Sequence, residues 1–184
     1  MATVYTVNAV AHKNNYLNNI PDNIDPKNQI ILSPDNLNSY MNFKLGTKKS
    51  SYSKNLFIEH EKGIYKINTN ELVLDNFFDN KVYKCLIKFK GDKITEIEVE
   101  LMLLKPIEDK KDEEDIVNIM TQKINTQIGN LNKTENGNKG TFVVWNGQKV
   151  QVKLFTGNAI AKGLNSTGII KIPYYKRTIT ISYL

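Results

Sequence analysis

The sequence has few of the residue types that usually build active sites. Its 184 residues include one Cys, one Arg and two His, His12 and His60. Strand alternation sends Glu59 and Glu61 to one face and His60 to the other, so these side chains do not converge on a metal. Cys85 lies in an apolar strand pattern without a cationic neighbour to lower its pKa. We therefore expect no catalytic residues, no cofactor and no metal site, and a protein that is not an enzyme.

Other absences bear on the compartment. A single Cys excludes an internal disulfide and is typical of a reducing environment. No apolar run approaches the roughly 18 residues that a membrane helix needs. The N-terminal segment 1–7 has neither the basic region nor the apolar core of a signal peptide. We expect a protein that is not secreted and does not contact membrane, located in the cytoplasm of the producing cell or assembled in a virion.

The composition is skewed toward Lys and Asn. There are 24 Lys against one Arg, 24 Asn and only five Ala, as an AT-rich coding sequence supplies by default. The Lys count alone is therefore weak evidence of function. The placement of charge says more, because residues 133–184 carry seven Lys and Arg177 against Glu135 alone, whereas residues 108–132 have a net charge of −3. This asymmetry predicts that the basic third meets nucleic acid, an acidic protein or the chain's own acidic helix.

The hydrophobic patterns predict a single mainly β domain over residues 1–184. We expect a β-sandwich or partly closed barrel of antiparallel hairpins, with the Asn-rich residues 13–29 as an extended arm or loop. A strand is predicted over Thr3–Lys13. Ser33-Pro34-Asp35 has the sequence of a helix start, which indicates a short helix at about 34–42. A longer amphipathic helix at about 112–131 begins with four acids and repeats apolar residues every four positions.

The clearest hairpin pairs Val82–Lys90 with Ile94–Leu103 around Gly91-Asp92-Lys93. The register matches charges on one face, which should stay solvated, and apolar side chains on the other. The expected pairs are Lys84 with Glu100, Lys88 with Glu96, Tyr83 with Leu101, Cys85 with Val99, and Ile87 with Ile97.

The C-terminal third also alternates. Asn146-Gly147 predicts a type I′ hairpin turn between Phe142–Trp145 and Gln148–Phe155. The second strand puts Val150, Val152 and Leu154 on one face. Phe142 and Val144 should lie on the opposite face and need a cover of their own. Residues 134–140 are expected to be a connector and 156–168 a loop, with further strands at 169–172 and 177–184.

These features favour a structural or assembly protein, most plausibly a phage head, neck or tail component that forms homo- or hetero-oligomers. The expected interaction surface combines exposed cations with aromatic and aliphatic residues of the basic third: Phe142, Val144, Lys149, Lys153, Lys162, Lys171, Tyr174, Tyr175, Lys176 and Arg177.

Two alternatives stay open. The first is a single-stranded nucleic-acid-binding β domain, which would use the basic 133–184 region and an aromatic–basic stretch with contacts at Lys44, Lys48, Lys49, Tyr52 and Lys54. The scarcity of Arg argues against base-specific reading in the major groove. The second is a small inhibitor or adaptor that captures an acidic protein.

Overall fold

The computed structural model describes residues 32–102, 110–130, 132–137, 140–165 and 168–184. The predicted strand at Thr3–Lys13 and the Asn-rich segment 13–29 lie outside these residues. The described chain forms a two-stranded sheet, an eight-stranded antiparallel sheet and one helix. The elements are β1 (Ser39–Tyr40), β2 (Phe43–Lys44), β3 (Phe57–Glu61), β4 (Ile64–Ile67), β5 (Val82–Lys90), β6 (Lys93–Leu101), α1 (Lys110–Ile128), β7 (Asn132–Gly137), β8 (Gly140–Asn146), β9 (Val150–Asn165) and β10 (Gly168–Tyr183).

The large sheet is open. Its strand order is β3-β4-β5-β6-β10-β9-β8-β7, so β3 and β7 are its two edges and the chain crosses from β6 to the far edge through α1. The mainly β class with one long helix is confirmed. Within the described residues, however, the sheet does not close on itself into the partly closed barrel that we considered from the sequence.

One face of this sheet carries the core. Helix α1 and the β1–β2 pair cover it, and the side chains that meet there are almost fully buried. From the helix come Val117, Met120, Ile124 and Ile128; from the sheet, Cys85, Ile87, Ile97, Val99, Trp145, Val152, Leu154, Ile179 and Ile181; and from β1–β2 and its flank, Tyr40, Phe43 and Leu45. The period-2 strands and the period-3.6 helix therefore bury one apolar face each.

The long helix confirms the prediction at 112–131. It begins at Lys110 and ends at Ile128, where Gly129 has a left-handed φ of 89° that suits the residue after a helix. Ile119, expected near the buried stripe, is 54% exposed, and Val117 takes the inner position. Among the described helices, none is long and apolar enough to cross a membrane.

The β5–β6 register is confirmed in its centre and differs at both ends. The four pairs centred on Cys85 and Ile87 stand as expected, but a bulge near Thr95 pairs Phe89 with Ile94. A second irregularity pairs Val82 rather than Tyr83 with Leu101, which leaves Tyr83 exposed. Bulges of this kind absorb an extra residue and so cannot be read from alternation alone.

The charged face of this hairpin is only partly solvated. Lys88 and Glu96 form an exposed pair at 3.8 Å, as expected. The Lys84 ammonium lies 3.1 Å from the Glu100 carboxylate, whose side chain is only 6% exposed. The expectation of a wet face is wrong for this pair, because Lys176 of β10 approaches Glu100 from the other side at 4.0 Å.

The short helix expected at 34–42 is one 3-10 turn, Pro34–Asn36, followed by β1 and β2. Its start is as expected, since the Ser33 hydroxyl accepts a hydrogen bond from the Asp35 N–H at 3.2 Å. The Asp35 carboxylate reaches beyond its own turn. It accepts hydrogen bonds from three backbone N–H groups of the β8–β9 turn, and this contact holds the segment in place of further helical turns.

The β8–β9 turn that contacts Asp35 also differs in position from the predicted turn. Gly147 N–H donates to Val150 O at 2.8 Å, so Gln148 and Lys149 occupy the turn centre instead of Asn146 and Gly147. The predicted type I′ turn at Asn146-Gly147 is therefore wrong by two residues. A Cβ on Gly147 would lie 2.5 Å from Asp35 Oδ1, so glycine is needed there for the close approach of the carboxylate and not for a positive φ.

Two segments predicted as irregular are strands. Residues 132–137 form the edge strand β7 in place of a connector. The loop expected at 156–168 is wrong for most of its length, because β9 continues to Asn165 and pairs with β10. Small residues favoured the loop prediction, whereas the ladder needs only backbone groups and accepts Gly157 and Gly163.

Candidate interaction surfaces

The β9–β10 hairpin extends beyond the rest of the sheet. Its sixteen ladder pairs run from Gly168 with Asn165 to Tyr183 with Val150. The neighbouring strand β8 stops pairing with β9 at Gly157, and β6 stops pairing with β10 at Thr178. Residues 158–165 and 168–175, which we call the arm, therefore pair only with each other among the described residues. Eight residues of strand at about 3.3 Å each give an arm about 26 Å long.

The arm contains part of the predicted interaction surface. Lys162 and Lys171 are direct ladder partners, and Tyr174 pairs with Ala159. Ile160 is 65% exposed. The arm sequence has no acidic residue. Pro173 faces Ile160 five residues beyond the last β6 pairing, where a missing N–H costs no hydrogen bond to a second neighbour.

The cations at the base of the arm are turned inward. The Lys176 ammonium lies 2.7 Å from Glu98 and 4.0 Å from Glu100. Burial lowers the pKa of Lys176, but these carboxylates outweigh it and raise that pKa above its usual value. Arg177 is 6% exposed and donates from Nη2 to Met102 O at 3.0 Å. Burial lowers the pKa of the Arg177 guanidinium. A partner could reach these two residues only by displacing internal contacts.

The acidic start of α1 meets the arm base. Burial, and then the Glu113 carboxylate, raise the pKa of Tyr175. The Thr141 hydroxyl of β8 donates to Glu113 Oε1 at 3.4 Å. The start of the acidic helix therefore contacts Thr141 and Tyr175 at this point, and neither of these residues is a cation.

Phe142 and Val144 lie on the sheet face opposite α1, as alternation predicts. The Phe142 ring stacks at 4.7 Å on Phe155, its ladder partner, and the Lys153 ammonium lies 5.8 Å from the Phe142 ring centre. Val144 is buried. These residues form a small cluster on the second face, with Lys149 exposed at the β8–β9 turn. Among the predicted surface residues, Phe142, Val144 and Lys153 are brought together, whereas Lys162 and Lys171 lie further along the arm.

A second surface gathers part of the other predicted set. A groove of about 480 Å³ is lined by Lys49, Ser50, Tyr52, Lys54, Phe57, Tyr65 and Asp92. It forms because the segment before Lys49 pairs with the tip of the β5–β6 hairpin: Gly46 N–H donates to Ile94 O at 2.8 Å, and Lys49 N–H donates to Asp92 O at 2.7 Å. We call this the aromatic–basic groove.

A lysine covers the aromatic wall of this groove. The Lys49 ammonium lies 3.3 Å from the ring centre of Tyr65, 5.5 Å from Phe89 and 5.9 Å from Phe57. Tyr65 meets Phe89 at 5.6 Å and Phe57 at 6.2 Å in edge-to-face geometry. A cation over a ring face at these distances is a cation–π contact.

Further lysines surround the groove. The backbone of Lys48 forms an isolated β-bridge with Lys93, and Lys93 is the ladder partner of Lys90 at the hairpin tip. Lys54 lines the groove and is exposed, and Lys44 is exposed on β2. Within the described part of the chain, none of the lysines at positions 44, 48, 49, 54, 90 and 93 forms an ion pair with a carboxylate.

Sequence reasoning selected Lys44, Lys48, Lys49, Tyr52 and Lys54 but missed Phe57, Tyr65, Phe89 and the hairpin-tip lysines. Alternation in β4 did signal that Tyr65 shares a face with Ile67. No sequence pattern indicated that the segment before Lys49 pairs with the β5–β6 tip, and that pairing assembles the groove.

The residues considered for chemistry are dispersed. Cys85 is fully buried, and burial raises the pKa of its thiol, with a further contribution from Glu98. His60 is exposed on the edge strand β3, and His12 lies outside the described residues. Among the described residues, no three His, Cys, Asp or Glu side chains cluster so as to hold a metal ion.

No protein-family model, curated protein sequence or solved structure matches the chain. The interpretation of both surfaces therefore depends on their own geometry.

Proposed function

We propose that this is a non-enzymatic structural or assembly protein that contacts other protein chains through the arm. The observation that supports the proposal is the arm's unsupported ladder: residues 158–165 and 168–175 pair only with each other among the described residues. A two-stranded hairpin alone in water is marginally stable. Its two open edges offer unpaired N–H and C=O groups to another strand.

The arm's composition supports the same role. It carries four Ile, two Tyr and only two charged residues, both Lys. Exposed strands that avoid pairing usually carry several charges or Pro, or are short, whereas the arm has eight residues in each strand with two Lys and one Pro. Contact with another chain would cover residues such as Ile160 and complete the backbone hydrogen bonds.

A matched pair of substitutions tests this proposal. Ile160→Lys puts a charge on the arm, and Ile58→Lys makes the same change at a 51% exposed position on the edge strand β3. Light scattering coupled to size exclusion should find an oligomer, or a complex with a copurifying chain, for the wild type and for Ile58→Lys. Ile160→Lys should shift the distribution to monomer while keeping the wild-type melting temperature.

A wild-type protein that stays monomeric without a bound partner would contradict the proposal, as would an oligomer that Ile160→Lys leaves intact. Stoichiometry separates the related possibilities, because an adaptor would give a one-to-one complex with an acidic protein. The assignment to a virion stays a prediction, which a search for this chain in purified particles would test.

A further inference from the structure

We infer that the aromatic–basic groove binds a single-stranded nucleic acid, with a base against Tyr65 and the backbone phosphates on the surrounding lysines. This site is separate from the arm and does not depend on the assembly role. The inference rests on an aromatic ring that lines the groove, on the lysines around it and on the size of the groove.

Tyr65 is built as a stacking platform. Edge-to-face contacts with Phe57 and Phe89 hold its ring in place. The Tyr65 ring lines the groove, and the Lys49 ammonium, the terminal group of a flexible side chain, lies 3.3 Å from the ring centre. Base stacking on an aromatic ring is a main source of affinity in single-strand binders, and Lys49 can move from the ring to a phosphate when a base enters.

The charge around the groove is mostly positive, although Asp92 lines the groove and Glu59 is the ladder partner of Tyr65. Six lysines, at 44, 48, 49, 54, 90 and 93, lack a carboxylate partner among the described residues, and Asp92 accepts a hydrogen bond from the Ser50 hydroxyl at 3.1 Å. Elsewhere on the sheet, Lys84, Lys88 and Lys176 are paired with glutamates. Unpaired lysines around a groove attract a polyanion and release its counterions on binding.

The groove distinguishes nucleic acid from an acidic protein. An acidic peptide would use the lysines but would leave the Tyr65 face unused, whereas a nucleotide has both a planar ring and a phosphate. A volume of about 480 Å³ lies in the range of small-ligand pockets. Bases paired in a duplex are stacked on each other and cannot lie on Tyr65. A Lys ammonium is a point charge without the bidentate fork of Arg, so we expect little sequence preference.

Fluorescence anisotropy of a labelled 20-nucleotide oligo(dT) with the full chain tests the inference. The logarithm of the affinity should fall linearly with the logarithm of salt concentration. Tyr65→Ala should weaken binding about tenfold or more, and Tyr65→Phe should restore it because phenylalanine keeps the stacking face. The matched control is Tyr83→Ala, an exposed tyrosine outside the groove.

The lysines are tested through the salt slope. Replacing Lys48 and Lys93 with Gln together should lower the slope by roughly 1.4, since each phosphate contact on a single strand contributes about 0.7. Lys81→Gln, at an exposed lysine away from the groove, should leave the slope unchanged. Thermal melts establish that each variant is folded. If Tyr65→Ala does not fold, the salt slope of the variant with Gln at Lys48 and Lys93 still tests the groove.

Several results would overturn the inference. Absence of salt-dependent binding would do so, and so would an equal effect of Tyr65→Ala and Tyr83→Ala. Equal affinity for poly-glutamate of matched charge would identify an acidic polypeptide as the partner instead. Loss of oligo(dT) binding in Ile160→Lys, with no change in Tyr65→Ala, would move the nucleic-acid surface to the arm.

Discussion

At the scale of single residues, Asp35 joins two distant parts of the chain. Its carboxylate accepts hydrogen bonds from the N–H groups of Gln148, Lys149 and Val150 at 2.8–2.9 Å, the last of these 115 residues away. Partial burial alone would raise the pKa of Asp35, but the three donors outweigh it and lower that pKa below its usual value of 3.8. The carboxylate thus fixes the β8–β9 turn against the segment before β1.

We expect Asp35→Asn to reduce the free energy of unfolding by about 1–2 kcal/mol at pH 7, because charge-assisted hydrogen bonds at a partly exposed site are lost. Since the folded-state pKa lies below the unfolded value, the wild-type contribution is present above about pH 4 and is lost as the pH falls through the folded pKa. Urea denaturation at several pH values should show the two proteins converging in acid.

The matched control for that experiment is Asp79→Asn. The Asp79 carboxylate is 72% exposed and makes one ion pair, with Lys123 at 3.4 Å. This substitution should cost less than about 0.5 kcal/mol. A cost for Asp35→Asn no larger than for Asp79→Asn would mean that the turn does not depend on the carboxylate.

Arg177 is the residue whose interpretation changes most between sequence and structure. As the only Arg, in a basic region beside two Tyr, it indicated a binding surface. In the fold it is buried, its Nη2 donates to a backbone carbonyl, and its Nε has no hydrogen-bond partner. Alternation in β10 puts it on the core face with Ile179 and Ile181, and alternation does not depend on side-chain charge.

At the scale of elements, a buried hydrogen bond fixes α1 on the sheet. Trp145 of β8 is fully buried, and its indole N–H donates to Asn125 Oδ1 of the helix at 2.8 Å. The core contacts of the helix with the sheet are apolar and therefore tolerate small shifts, and the Thr141–Glu113 hydrogen bond lies at the start of the helix. The hydrogen bond sets the position of the helix along the strand, since a buried indole N–H needs its partner.

We expect Asn125→Ala to lower the free energy of unfolding by about 1–3 kcal/mol, because it leaves the Trp145 N–H buried without an acceptor. Asn118→Ala, at an exposed position of the same helix, is the control and should stay within about 0.5 kcal/mol of wild type. Chemical denaturation measures both. Equal effects would show that the indole finds another acceptor.

At the scale of the whole molecule, the continuity of the sheet depends on one junction. Strands β6 and β10 pair over five residues, from Thr178 with Glu100 to Ser182 with Glu96. This ladder joins a half built from β3–β6 to a half built from β7–β10. Helix α1 and the shared core bridge the same boundary, and the single domain expected from the sequence stays a prediction.

The chain's only Trp and only Cys test that expectation, because Trp145 lies in one half and Cys85 in the other. Burial raises the pKa of the Cys85 thiol, so it should react with Ellman's reagent only after unfolding. Trp fluorescence and thiol reactivity followed through a urea titration should have coincident midpoints. Two separated transitions would instead mean that the halves unfold as independent units.

The sequence predicted the parts of this fold that depend on local periodicity. The β5–β6 register around Cys85 and Ile87, the helix at Lys110–Ile128 and the opposite facing of Phe142 and Val144 all follow from which side chains share a face. The burial of Cys85 follows from the same pattern, because an apolar strand face becomes core wherever the sheet is covered.

Only the tertiary structure decided the features that join distant segments. Asp35 moved the turn that Asn146-Gly147 predicts, the β5–β6 tip assembled the aromatic–basic groove, and backbone pairing made an arm of residues that composition indicated as a loop. Sequence patterns record the face that each side chain takes along its own strand or helix. They do not record which backbone N–H or ring a residue meets in a distant segment, and such a meeting assembles the aromatic–basic groove.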